Sequence, residues 1–245
     1  MKERLITSVV IIAVLAVIGL IDNRYLTGLL IGAIAIIGYK EAEKLFGVES
    51  VDVFYAAIST VAVGVFINPL AAAVFGVIGV LSYIAYFQKD LKLVLSILYP
   101  VVPLLILFDL YIKHSMGMIG WLIVIVALTD SFAYLVGKKF AKTFFKNGFC
   151  PTSPNKSWEG VIGGVGIGTV IGALIGLYFT GFWVALVVSL FVSVSSVFGD
   201  LFESYLKRRA GVKDSGNLLP GHGGILDRID GYLFAAPAMW ALLGS

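Results

Sequence analysis

The sequence predicts an all-α, polytopic membrane protein of about nine transmembrane helices with a cytoplasmic N-terminus. Three observations carry this. Charged residues make up 13% of the 245-residue chain, about half of the ~25% usual in a soluble domain, and mean hydropathy is +0.99. The apolar residues form runs long enough to cross a hydrocarbon core about 30 Å thick, which takes roughly 20 helical residues. The basic residues between those runs fall almost all on one side. A single cysteine, Cys150, excludes an intramolecular disulfide framework.

Taken in order, the first run is 5–21. Lys2 and Arg4 precede it as in a signal peptide, but it has no clear small-residue cleavage site and many spans follow, so it is read as a retained helix. The polar turn Ile21-Asp22-Asn23-Arg24 separates it from 25–39, and 51–67 comes next. Asn68-Pro69 then stops a helix, because proline lacks an N–H and restricts the residue before it. Runs at 70–87 and 91–108 follow, closed by the polar stretch Asp109 to Ser115. Beyond it lie 117–137, 159–180, 182–206 and 229–244. In the seventh run Gly163, Gly164, Gly166, Gly168, Gly172 and Gly176 would let neighbouring helices approach closely. Residues 1–115 thus hold five spans, and 116–245 form a second region with two long loops, 138–158 and 207–228. With the N-terminus inside, only Arg24 and Lys113 of the 18 Lys and Arg residues fall outside. Positive charge concentrates on the cytoplasmic side of membrane proteins, so both long loops are placed there, where a soluble charged substrate could be met.

Asp130 and Asp200 stand inside apolar runs, and an ionisable group there is costly and by default functional. Each precedes the basic end of its helix, at Lys138 and Lys207, by a similar distance. At 1.5 Å per residue both sit roughly 10–12 Å below that end and can line one cavity open to the cytosol. The alternative is that each is a packing acid bonded to a neighbour's hydroxyl or cation. Around Asp200, the residues Ser193, Ser195, Ser196, Glu203 and Ser204 are more polar than a lipid-facing helix tolerates. Asp200 and Glu203 are three apart and share a helical face, and Asp227 and Asp230 repeat that spacing at the start of the last run. Such hard oxygen ligands suit Mg²⁺, which takes one or two carboxylates and completes its shell with water and phosphates. Alternatively, Asp227 and Asp230 only favour the positive end of a helix dipole.

Between these acids lies Leu219-Pro-Gly-His-Gly-Gly224, whose glycines allow backbone N–H groups to face an anion. Lys207, Arg208, Lys213 and Arg228 could neutralise a triphosphate or a lipid phosphate, whereas juxtamembrane cations can also simply meet anionic lipid. His222 reads either as a turn residue or as a ligand contact. A second polar cluster, Ser153-Pro-Asn-Lys-Ser-Trp-Glu-Gly160, closes the first long loop. It is either a helix start with Trp158 as interfacial anchor, or a place where Lys156 and Ser157 contact phosphates and Glu159 positions a cation or lysine.

The stretch from Ser204 through Lys207-Arg208, Lys213-Asp214, His222-Gly223-Gly224 and Asp227-Arg-Ile-Asp230 resembles the signature of phosphatidate cytidylyltransferases, the CDP-diacylglycerol synthases. Asp130-Ser-Phe-Ala-Tyr-Leu-Val-Gly137 and Ser153 to Gly160 agree with it. The resemblance is specific over about 130–230, and nothing is carried over to the first 115 residues. It implies transfer of CMP from CTP to phosphatidic acid with release of pyrophosphate. It also implies Mg²⁺ held by Asp200 and Asp227, and a second cation such as K⁺ beside it. Asp130, Glu203 and Asp230 are further metal candidates. Lys207, Arg208, Lys213, His222 and Arg228 are the expected catalytic phosphate contacts, with Lys156, Ser157, Glu159, Ser204, Gly223 and Gly224 binding substrate. The expected setting is the cell (inner) membrane with the site facing the cytoplasm. Expected partners are the two substrates, membrane lipid and a second copy of the chain, and no nucleic acid. The rival readings are the same chemistry on another lipid phosphate, such as an archaeal ether lipid or a polyprenol, and an ion-coupled transporter. A transporter predicts acids nearer the midplane and internal repeats, and no clear repeat is found.

Overall fold

The computed structural model describes residues 2–244, with side chains from Ile6 onward. Lys2 and Arg4, which enter the orientation argument, lie outside the described side chains. The chain divides into two compact units, Met1–Met116 with Arg209–Ile229, and Gly117–Arg208 with Asp230–Ser245.

The first unit contains α1 (Lys2–Ile21), α2 (Arg24–Phe46), α3 (Val51–Phe66), α4 (Pro69–Phe87) and α5 (Val102–Lys113). Polar turns set the helix starts as expected. The side chain of Asn23 accepts from the Tyr25 and Leu26 amides, Ser50 from that of Val53, and Asn68 from that of Ala71. Each satisfies a donor that a helix N-terminus leaves open. Pro69 stands in the first turn of α4, where its missing N–H costs nothing. Helix α3 packs on both α2 and α4, and α5 packs on α2 and α4. Tyr39, Ile97, Leu105, Phe108 and Leu110 form the fully buried core of the unit.

Two expectations change here. The second helix does not stop at 39 but continues to Phe46, where Gly47 in the left-handed region (φ 67°) ends it. The charged segment after Tyr39 stays helical because its acids are buried and bonded: Glu43 accepts from the Tyr39 hydroxyl at 3.0 Å and pairs with Lys40 at 2.8 Å. The expected span 91–108 falls in the apolar segment Leu91–Lys113, but as a 3₁₀ turn (Leu91–Val94), a π turn (Ile97–Val101) and then α5 rather than one continuous α-helix. Pro100 and Pro103 remove amides that a continuous α-helix would need.

The second unit contains α6 (Met116–Phe140), β1 (Gly148–Cys150), β2 (Ser153–Ser157), α7 (Trp158–Gly176), α8 (Phe182–Arg209) and most of α9 (Leu226–Leu243). The antiparallel pair β1–β2 is a small exception to the all-α expectation. Its strands contain Pro154, Asn155 and Lys156 rather than alternating β-branched residues, so no period-2 pattern announces them. Helix α7 presents Gly160, Gly164, Gly168, Gly172 and Gly176 to α6 and α8. A Cβ at these sites would meet Ala133, Thr129, Ile125 and Trp121 on one side and Ser193, Ser189 and Ala185 on the other. The Trp121 indole donates to the Gly172 carbonyl at 2.7 Å across this seam. Gly166 faces open space instead.

Six segments are long and apolar enough to cross a membrane: α2, α4, Leu91–Lys113, α6, α7 and α8, among the described residues. Ile6–Ile21 and Val51–Phe66 are shorter apolar helices. Helix α9 carries Asp227, Arg228 and Asp230 in its first turns, which lowers its apolar character. The structure is a helical, multi-pass type of chain.

Candidate functional site

In the second unit, α6, α8, α9 and the end of β2 bring four acids and two lysines into one electrostatic group. Asp200 forms an ion pair with Lys156 and accepts from the Ser204 hydroxyl at 3.3 Å. Asp130 feels the negative charges of Asp230 and Asp200 and the positive charge of Lys156. Asp230 lies within the electrostatic reach of Asp200 and Lys207. Its carboxylate also accepts from the Gly231 amide at 2.8 Å. Glu203 is fully buried and pairs with Lys207 at 2.7 Å. Helices α8 and α9 come close enough for this because Gly199 lies directly against the Asp230 carbonyl and Gly231. Asp130 is exposed although it stands in the middle of an apolar helix, and its acid neighbours suit water better than lipid.

Ser157 and Glu159, proposed from the first long loop, have local structural partners. The Ser157 hydroxyl accepts from the Gly160 amide at 3.1 Å and caps α7. Glu159 is buried and accepts from the Phe144 and Phe145 amides at 2.9 and 3.0 Å, tying the stretch before β1 to the helix start. Arg208 is exposed on the last turn of α8.

In the first unit, the segment after α8 folds into a glycine-rich turn that leads into α9. Gly221 and Gly223 take φ of 73° and 82°, a region that residues with a Cβ avoid. A Cβ on Gly223 would also collide with the Asp227 carboxylate. Asp227 Oδ2 accepts from the Ser215 and Gly224 amides, each at 2.8 Å, and the Ser215 hydroxyl oxygen lies 3.0 Å from it. Arg228 donates twice to the His222 carbonyl, at 3.0 and 2.7 Å, and His222 Nε2 lies 3.0 Å from the Ser8 hydroxyl of α1. A cavity of about 550 Å³ opens here, lined by Lys213, Asp214, Asn217, His222 and Arg228 together with Leu219 to Gly223. Two cations, backbone amides and a volume of that size can accommodate a polyphosphate.

Mg²⁺ can be tested against these donors. Among the described residues no three His, Cys, Asp or Glu side chains converge as a ready-made metal cage. Mg²⁺ does not require one, because it binds through one or two carboxylates and substrate phosphates. The acids of the second unit outnumber the lysines facing them, so the donor chemistry fits a hard divalent cation.

Three residues of the first unit that sequence reasoning left aside prove to touch this turn: Ser8, Glu41 and Ser215. Glu41 is buried and accepts from the Ser215 hydroxyl and from the Ile225 and Leu226 amides. Its sequence signal was faint. Lys40-Glu41-Ala42-Glu43-Lys44 reads as a solvated loop unless Leu45-Phe46-Gly47 is taken as the helix end.

The profile of the cytidylyltransferase family matches residues 2–245. The chain belongs to the cytidylyltransferase family. A protein of Helicobacter pylori (strain ATCC 700392 / 26695), "Phosphatidate cytidylyltransferase", is 40% identical over 247 residues, covering 99% of this chain and 91% of its own length. Proteins of the same description from Bacillus subtilis (strain 168) and Staphylococcus aureus (strain COL) are 42% and 47% identical, covering 54% and 49% of this chain and 49% and 46% of their own lengths. The cytidylyltransferase match thus includes the first 115 residues, where the signature is silent.

Proposed function

We propose that this cytidylyltransferase transfers CMP from CTP to phosphatidic acid, giving CDP-diacylglycerol and pyrophosphate. The observation that carries this reading is the turn from Lys213 to Arg228. It combines a cavity with two cations, a glycine backbone in left-handed conformation, and Asp227 held by the Ser215 and Gly224 amides. The full-length similarity to the Helicobacter pylori protein supports the same substrates.

A phosphatidate oxygen attacks the α-phosphorus of CTP, the bond from that phosphorus to the bridging oxygen breaks, and pyrophosphate leaves with the electron pair. Such transfers depend on positioning and charge neutralisation more than on covalent help. Lys213 and Arg228, with His222 and the Gly223 backbone, hold phosphate in the cavity, while the Gly224 amide holds Asp227 beside it. Lys156, Lys207 and Arg208 add positive charge, and Ser204 orients Asp200. Asp200 and Asp227 are the metal-binding carboxylates, with Asp130, Glu203 and Asp230 supporting. Mg²⁺, with a second cation such as K⁺, supplies neutralisation of the phosphate charge when bound. Ser157 and Glu159 act through the fold, by capping α7 and tying the hairpin.

The chain spans the cell (inner) membrane about nine times, with the N-terminus and both long loops in the cytoplasm where CTP is found, and a second copy as partner. To test the chemistry, radiolabelled CTP is offered to purified protein with phosphatidate, an ether-lipid phosphate or a polyprenol phosphate. Label should enter lipid with phosphatidate and require added Mg²⁺. Preference for another acceptor would overturn the substrate, and undiminished turnover in well-expressed Asp200→Asn or Asp227→Asn would overturn the metal assignment.

A further inference from the structure

The turn that carries Asp227 is fastened to a carboxylate from the N-terminal half of the chain. Glu41, on α2, is only 6% exposed. Its Oε2 accepts from the Ser215 hydroxyl at 2.8 Å and the Leu226 amide at 2.9 Å, and its Oε1 accepts from the Ile225 amide at 2.9 Å. The Ile225 and Leu226 amides stand at the N-terminus of α9, where donors lack helical partners and the dipole favours an anion. The Ser215 hydroxyl also lies 3.0 Å from Asp227 Oδ2, so one hydroxyl stands between two carboxylates. Space has been cleared for this: Gly216 and Gly224 both leave room for the Glu41 carboxylate, where a Cβ would collide with it. Among the described residues no cation pairs with Glu41. A carboxylate buried among neutral donors must have them all in place, because leaving it unbonded is costly.

We infer that Glu41 is a positioning residue. It fixes the backbone on both sides of the glycine-rich turn and thereby sets where the Asp227 carboxylate stands. This rests on the proposed role of Asp227 in holding metal. Glu43, two residues along α2 and so on its other side, is bonded to Tyr39, Lys40 and the Ser50 amide, has no bond to the turn and serves as the reference.

The test uses the full-length chain in detergent with Glu41→Gln and Glu43→Gln. A glutamine at position 41 keeps the shape but turns an NH₂ towards backbone donors. In Glu41→Gln, the Mg²⁺ concentration for half-maximal turnover and the KM for CTP should each rise about tenfold or more, as when a group orienting a metal ligand is lost. In the metal-free protein, the amides of Ser215, Gly224, Ile225 and Leu226 should exchange with solvent faster than in wild type. Glu43→Gln should lower thermal stability without moving either readout. Wild-type Mg²⁺ dependence, KM and exchange in Glu41→Gln would overturn the inference. Retained turnover in Asp227→Asn would instead remove the metal assignment, while exchange, read without metal or substrate, still decides whether Glu41 holds the turn. If Glu41→Gln does not accumulate, Ser215→Ala carries the same measurements, and unchanged exchange at Gly224 to Leu226 there counts against the proposal.

Discussion

Lys156 ends the β hairpin and reaches Asp200 from a different element, so its charge serves the acid group without being part of α8. A buried or half-buried charge that loses its counter-ion is destabilised more than an exposed one, and Asp200, Asp130 and Asp230 would then face one another with Lys207 remaining. Lys156→Met should therefore reduce kcat/KM by roughly 10- to 100-fold, the range for losing one hydrogen bond to a charged group. Steady-state kinetics with varied CTP checks this, and an unchanged kcat/KM would leave Lys156 a surface pairing. At the Ser157 cap the expectation differs. Ser157→Ala removes the acceptor for the Gly160 amide and should cost about 1 kcal/mol of stability, seen as a lower midpoint of thermal unfolding, with kinetics almost unaltered at a temperature where the protein stays folded. The acids themselves were legible in the sequence because a carboxylate inside an apolar run is conspicuous. Glu41 was not, since its neighbours Lys40, Glu43 and Lys44 disguise a buried helix end as a loop.

Helix α7 shows how an element can be specified by what it lacks. Its glycines at every fourth position, Gly160 through Gly176, meet backbone or side chains of α6 and α8 at distances a Cβ cannot share. Close approach without side chains is how helices associate where lipid offers no hydrophobic driving force. Gly172→Ala should thus be destabilising by about 1–3 kcal/mol through overpacking, because its Cβ would press on Ile125 and Ser189. Gly166→Ala, facing open space, should be neutral or stabilising by up to ~1 kcal/mol through helix propensity. Thermal unfolding of the two variants in the same detergent separates them, and equal midpoints would mean that the seam tolerates a methyl group. The glycine-rich character of this helix was readable from the sequence, but which glycines matter was not. Gly166 sits in the same run as the seam residues, and only the rotation of the helix distinguishes it.

At the scale of the whole chain, hydropathy revealed a helical membrane protein because apolar runs of spanning length are the mark of helices that cross a bilayer. Helix limits were read less well wherever charge is internally bonded, as after Tyr39, or where prolines break a run, as at Pro100 and Pro103. The β hairpin escaped because its order comes from Glu159 and from the edge packing of Phe149 on Trp158, not from strand composition. The sidedness proposed for the chain rests on its cations, and it makes a definite prediction. Cys150 lies in the hairpin after α6, and it is the sole cysteine. Only α6 separates it from His114, and only α7 separates it from Gly181. With the excess of Lys and Arg on the cytoplasmic side beside CTP, as proposed, a membrane-impermeant maleimide should label Cys150 in inside-out vesicles and not in intact cells. In a Cys150→Ser background, Val212→Cys should label from that same side, whereas His114→Cys and Gly181→Cys should label from the opposite one. Labelling of Cys150 and His114→Cys from one side would remove α6 from the spans. An inverted pattern throughout would place the turn from Lys213 to Arg228 away from CTP, and with it the proposed reaction would lose its substrate.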